Sequence, residues 1–145
     1  MPKFQYKFES IKKIKEALEK KAQKEIALID LEIKKKEDEY KLLTEEELKS
    51  KKDFFKGEIS STELKFKKNY ELYLRNQRMV LMNQIKVLND KRKLKMDELM
   101  QRSKEHKIFD TLEENYIEVF KKEQNKIELE QINEIATQKF VRQEK

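Results

Sequence analysis

Cysteine and tryptophan are absent from this sequence, Gly57 is its only glycine and Pro2 its only proline. Without cysteine there is no disulfide framework, no thiolate metal site and no cysteine nucleophile. Sandwiches, barrels and doubly wound sheets need Gly and Pro wherever the backbone takes special geometry, so one of each excludes them. A glycine loop able to cradle phosphate is excluded by count alone. No stretch approaches the roughly 18 apolar residues of a membrane span. The N-terminal run Pro2-Lys3-Phe4-Gln5-Tyr6-Lys7-Phe8 lacks the continuous apolar segment of a signal peptide. The expectation is a soluble protein that stays in the cytoplasm.

What is present is charge, in a regular pattern. Charged residues make up 44% of the 145 and apolar residues 37%, too little to bury a globular core. Yet from Phe4 onward apolar residues recur in threes and fours: Phe4, Phe8, Ile11, Ile14, Leu18, Ala22, Ile26, Ile29, Ile33, Tyr40 and Leu43. That spacing puts them on one stripe of a helix. The pattern breaks once, between Phe54 and Glu63. Gly57 there suits the left-handed residue that ends a helix, and Ser60 with Glu63 forms a capping box that starts another. A second stripe then runs through Leu74, Leu81, Ile85, Leu88, Leu99, Phe109, Leu112, Tyr116, Phe120, Ile127, Ile132, Ile135 and Phe140. Arg78, Arg92, Ser103 and His106 interrupt it, and polar residues in a seam fix register.

These features predict an all-α fold, an antiparallel two-helix coiled coil with a longer second helix. The expected organisation is one coiled-coil domain over residues 1–145, with a helix over about 4–54, a turn over about 55–61 and a helix over about 62–143. A turn near residue 58 sets Phe4 opposite roughly residue 112. About 30 residues of the second helix, some 45 Å, then lie beyond any partner. That overhang carries an apolar stripe, which marks a binding surface. Charge is segregated too. Residues 1–60 hold 16 basic and 14 acidic side chains, residues 61–109 hold 13 and 6, and residues 110–145 hold 6 and 9. The net charges are +2, +7 and −3, so the basic excess sits early in the second helix and the overhang is acidic.

Chemistry-bearing motifs are few. His106 is the only histidine, and neither Glu105 nor Asp110 gives it a Glu-x-x-His or His-x-x-x-His metal spacing. It reads as a solvated or seam histidine rather than a ligand or base. Paired carboxylates such as Glu45-Glu46-Glu47 lack a pocket that would tune them. The expectation is a protein that is not an enzyme and needs no cofactor or metal. The basic runs Lys65–Lys68 and Lys86–Lys95 raise nucleic-acid binding, but Glu71, Asp90 and Asp97 punctuate them, which favours a solvated face or a dock for an acidic protein. The pairs Met79/Met82 and Met96/Met100 read as seam filling in preference to a promiscuous groove.

Both ends of the chain resemble a known family. Phe4-x-Tyr6-x-Phe8-Glu9-Ser10-Ile11-x-x-Ile14 and Glu128-x-Glu130-Gln131-Ile132-Asn133-Glu134-Ile135-Ala136, continuing to Phe140, are similar to the corresponding parts of the flagellar export protein FliJ. Where the family tends to have Asp-Glu, this chain has Asn133-Glu134. The resemblance implies the non-enzymatic coiled-coil stalk of the flagellar type III protein export apparatus, similar to the gamma subunit of rotary ATPases. It implies insertion into a hexameric export ATPase (FliI-like), contact with an export gate protein (FlhA-like) and with export chaperones, and no nucleic-acid partner. The protein would be a monomer when isolated, without membrane insertion, cytoplasmic and peripheral at the inner-membrane export apparatus. By family pattern the gate contact falls on Tyr73, Gln77, Val80 and Gln84, with Glu39 and Leu43 from the first helix. ATPase-ring contact falls on Phe4, Phe8, Tyr116, Phe120, Ile127, Ile132, Ile135 and Phe140. The alternatives are the equivalent stalk of a virulence-type secretion system, a generic structural coiled coil and a basic nucleic-acid-binding helical protein.

Overall fold

A computed structural model describes residues 2–54, 57 and 60–143, with the side chain of residue 54 outside the description. Two helices account for nearly all of them: α1, Glu9–Phe54 (46 residues), and α2, Ser61–Gln143 (83 residues). They pack antiparallel. As partners advance along α2 they retreat along α1, with Arg78 on Glu47, Arg92 on Asp30 and Lys95 on Glu25. The all-α antiparallel pair with a longer second helix is the fold that the periodicity predicts.

The helix ends follow local chemistry. Ser60 caps α2: its Oγ accepts from the Glu63 N–H at 3.2 Å and its carbonyl accepts from the Leu64 N–H at 3.0 Å. Lys51 and Lys52 occupy the last turn of α1, where the helix dipole favours cations. The left-handed conformation expected of Gly57 depends on a φ that runs through residue 56, outside the described residues. Residues 55, 56, 58 and 59 of the expected turn lie outside the described residues.

At its start α1 departs from the reading of the sequence. Residues 4–8, expected to be helical, are not; the first helical bond runs from the Lys12 N–H to the Phe8 carbonyl, at 2.9 Å. Phe4, Tyr6 and Phe8 alternate with polar residues, and residues 7 and 8 form a turn closed by the Glu9 N–H on the Tyr6 carbonyl at 3.2 Å.

Packing divides into two compact units. In Lys20–Met100, α1 buries Ala22, Ile26, Ile29 and Ile33, and α2 buries Leu74 and Leu81. The seam of α2 here follows alternating steps of three and four: Leu64, Lys67, Glu71, Leu74, Arg78, Leu81, Ile85, Leu88, Arg92, Lys95 and Leu99 are all buried or half-buried. Nearly half of these are charged, so the seam depends on ion pairing as well as on apolar contact. Glu47 is 5% exposed and receives Arg78 and, at 3.5 Å, Lys51. Met79, Met82 and Met100 are exposed and do not fill the seam as expected, because Arg78, Leu81 and Leu99 hold the inward positions beside them, whereas Met96 is half-buried.

The second unit, Met1–Glu19 with Gln101–Lys145, has the same character. Lys12 bonds Glu113 and Lys15 bonds Glu105 at 3.0 Å. Those lysines take the inward positions. Ile11 and Ile14, expected on the seam, are displaced outward, Ile14 to 58% exposure.

Glu47→Ala is expected to lower unfolding free energy by about 3 kcal/mol, because it strands the Arg78 guanidinium in the seam. Glu47→Leu combined with Arg78→Met is expected to return to within about 1 kcal/mol of the native chain. Urea unfolding followed by circular dichroism measures both, and a cost for Glu47→Ala of a few tenths of a kcal/mol would mean that the pair behaves as a surface ion pair.

Candidate partner-binding surfaces

In the unit holding both chain ends, the non-helical N-terminal segment lays three rings on α2. Phe4 packs edge-on against Phe120, with ring centres 5.5 Å apart. Tyr6 lies 5.9 Å from Tyr116, and Phe8 lies 6.2 Å from Phe109 and 6.3 Å from Tyr116. Such pairs add about 0.5–1.5 kcal/mol each beyond their buried area. The Tyr6 hydroxyl donates to the Phe109 carbonyl at 2.9 Å. Burial pushes that phenol's pKa up, helped by the charge of Glu113. Phe4 therefore sits opposite residue 120 rather than 112, and the N-terminal segment partly covers Tyr116 and Phe120, which were expected in the overhang.

The unpartnered arm is correspondingly shorter. From Asn125 to Gln143 every side chain is exposed, a length of about 28 Å. Ile127, Ile132, Ile135 and Phe140 all belong to this stretch, and Phe140 is 61% exposed. Of the eight expected ring-contact residues, four lie on the free arm, and the other four form the aromatic clasp at its base. A groove lined by Pro2, Phe120, Lys121, Gln124, Asn125 and Glu128 lies where clasp and arm meet.

In Lys20–Met100, the outer side of α2 carries Phe66, Tyr73, Val80, Val87 and Leu94, all exposed and seven residues apart. Tyr73 and Val80 of the expected gate contact lie on this ridge, with Gln77 and Gln84 exposed beside them. A shallow groove of about 510 Å³ joins Val80, Asn83, Gln84, Val87 and Leu88 of α2 to Glu32 and Lys36 of α1. Glu39 and Leu43, the expected α1 contributors, are half-buried and do not line it. Glu32, Lys36 and the ridge residues Phe66, Val87 and Leu94 are not among the expected gate contacts, although their exact seven-residue recurrence with Tyr73 and Val80 is there to be read.

His106 is held between the helices. Its Nδ1 lies 2.6 Å from Glu19 Oε2, and its Nε2 lies 3.2 Å from Glu16 Oε1 and 3.3 Å from Asp110 Oδ2. Partial burial by itself would lower the imidazole pKa. The hydrogen bond to Glu19, the charge of Asp110 and the hydrogen bond to Glu16 outweigh it, and the pKa is raised above 6.5. Asp110 lies on the same face as His106, four residues on. Motifs confined to one helix could not show that Glu16 and Glu19 of α1 complete the cluster.

Residues 4–145 match the sequence profile of the family described as Flagellar FliJ protein, which takes in everything from the first ring of the clasp to the end of the free arm. The chain belongs to the FliJ family. FliJ proteins are non-catalytic components of the flagellar export apparatus. No curated protein and no solved structure matches the chain. Among the described residues, no helix is long and apolar enough to cross a membrane.

Two measurements check these surfaces. Phe8→Ala is expected to cost about 1–2 kcal/mol, part of the loss for a fully buried ring, while Phe140→Ala on the free arm costs less than about 0.5 kcal/mol. The hydrogen bond from Lys95 holds the Glu25 carboxyl below 4.5, and the bond from Lys15 does the same for Glu105. Their stabilising contribution is complete above 4.5 and is lost as pH falls through the lower folded values. Carboxyl NMR titration should find both midpoints below 4.5, with Glu25 moving up in Lys95→Met and Glu105 in Lys15→Met. Midpoints that ignore these substitutions would contradict the assigned cause.

Proposed function

We propose that this chain is the stalk of the flagellar export apparatus, acting as one coiled-coil domain over residues 1–145. The exposed apolar arm at 125–143 carries this reading: Ile127, Ile132, Ile135 and Phe140 gain nothing in water and each contributes about 1.5–3 kcal/mol when buried against a partner. The partner is a hexameric export ATPase, into whose central hole the arm inserts, with Phe4, Phe8, Tyr116 and Phe120 bracing the arm's base. The stalk promotes ring assembly without chemistry of its own.

The second contact is with the cytoplasmic part of an export gate protein, through Tyr73, Gln77, Val80 and Gln84 beside the groove formed with Glu32 and Lys36, with Glu39 and Leu43 behind them. Export chaperones compete for exposed surface of the same kind. The isolated protein is a cytoplasmic monomer, peripheral at the inner-membrane apparatus when assembled. Nucleic acid has no part in this role.

ATP hydrolysis and hexamer formation by the cognate ATPase, with and without this chain, test the reading. Ile132→Asp with Ile135→Asp should raise the half-maximal stimulating concentration at least about tenfold while helix content stays unchanged. Tyr73→Ala with Val80→Ala should leave stimulation intact and weaken binding to the gate protein. Native-like stimulation by the Asp variant would remove the arm from the ring contact, and no stimulation by the native chain would remove the stalk role.

A further inference from the structure

The cluster around His106 brings one imidazole and three carboxylates together from two helices. Glu19 Oε2 lies 2.6 Å from Nδ1, the length of a strong charge-assisted hydrogen bond, so the Nδ1 proton belongs there. Nε2 then faces two further carboxylate oxygens, Glu16 Oε1 at 3.2 Å and Asp110 Oδ2 at 3.3 Å. All three of these atoms carry lone pairs, and all lie within 4.8 Å of one another. A proton on Nε2 serves both oxygens at once, and a metal ion that displaces it would take the same three atoms as ligands. An ion bonded at about 2.0–2.2 Å in tetrahedral geometry holds its ligand atoms about 3.3–3.6 Å apart, and both distances from Nε2 to oxygen are close to that, at 3.2 and 3.3 Å.

We propose that Glu16, His106 and Asp110 bind one divalent transition-metal ion, Zn2+ in preference to Mg2+ or Ca2+, and that Glu19 is the positioning residue that orients the imidazole. One nitrogen and two carboxylate oxygens suit zinc, whereas magnesium and calcium take oxygen ligands. A carboxylate on the far ring nitrogen is the usual support of a zinc-bound histidine: it fixes the tautomer and makes the ligand nitrogen more basic. The other oxygen of Asp110 faces Lys12 Nζ at 3.6 Å, which leaves Oδ2 to the metal. The charge of Lys12 is itself matched by Glu113. All the ligands are half-buried, so water completes the coordination. Since Glu16 belongs to α1 and His106 and Asp110 to α2, the ion staples the two helices within this unit and stabilises the folded chain by mass action. This site is separate from the surfaces assigned to the ATPase and the gate.

The test uses the full chain, stripped of metal with chelator, and titrated near neutral pH with zinc chloride alone. Calorimetry should find one ion per chain, the thermal midpoint should rise, and the single histidine should show a large Nε2 shift in nitrogen NMR. Millimolar magnesium should do none of this. His106→Gln should abolish binding, Asp110→Asn should weaken it at least about tenfold, and Glu19→Gln should weaken it about 10–100-fold without removing a ligand. Failure of the native chain to bind micromolar zinc would overturn the proposal. So would binding that His106→Gln and Asp110→Asn leave unchanged. If His106→Gln fails to fold, the native Nε2 resonance decides: a resonance unmoved by zinc overturns the site.

Discussion

A charged side chain turned into the seam between two helices must meet an opposite charge or pay for its lost hydration, and this requirement governs the molecule. The seam of α2 presents Arg78 to the buried Glu47 and the half-buried Lys95 to Glu25, while Arg92 meets Asp30 at the exposed rim. Apolar seams tolerate slippage, since one leucine packs on another almost as well as on its neighbour. Charges do not, because sliding one helix along the other would separate each cation from its acid. The few buried apolar residues, Ala22, Ile26, Ile29, Ile33, Leu74 and Leu81, supply attraction, and the ions supply register.

Putting charge inside has a consequence outside. With Lys12, Lys15, Arg78, Arg92 and Lys95 taking inward positions, apolar residues such as Ile14, Leu28, Leu31, Tyr73, Val80 and Leu94 are left facing water. A chain that selection had shaped only for its own stability would gain by exchanging the two sets. In a component of the flagellar export apparatus, exposed apolar ridges are where partners are expected, and the exposed arm of α2 and the Phe66–Leu94 ridge both have that form.

Register also places the N-terminal segment. Leaving the helix at Phe8 lets Phe4, Tyr6 and Phe8 span α2 from Phe109 to Phe120, and the Tyr6 hydroxyl bonds the Phe109 carbonyl. The same register sets Glu16 and Glu19 across from His106 and Asp110. Clasp and cluster thus have a common origin in how the two helices align within that unit.

Much of this was legible beforehand. Helix class, antiparallel pairing and the Ser60 cap follow from short-range rules: apolar spacing, a scarcity of Gly and Pro, and a hydroxyl three residues before a glutamate. The family is legible in the residues at the two ends. The seam's inward side was harder to read, because helical periodicity shows which residues share a stripe but not which of two competing stripes faces the partner. Ile11 and Ile14 compete in this way with Lys12 and Lys15, and the acids at Glu113 and Glu105 decide for the lysines. The non-helical start at Phe4 and the two α1 acids at His106 likewise depend on residues about ninety or a hundred positions away in the chain. Local pattern determined what the elements are; only packing decided which faces meet, because the energy of a charge depends on the partner it finds.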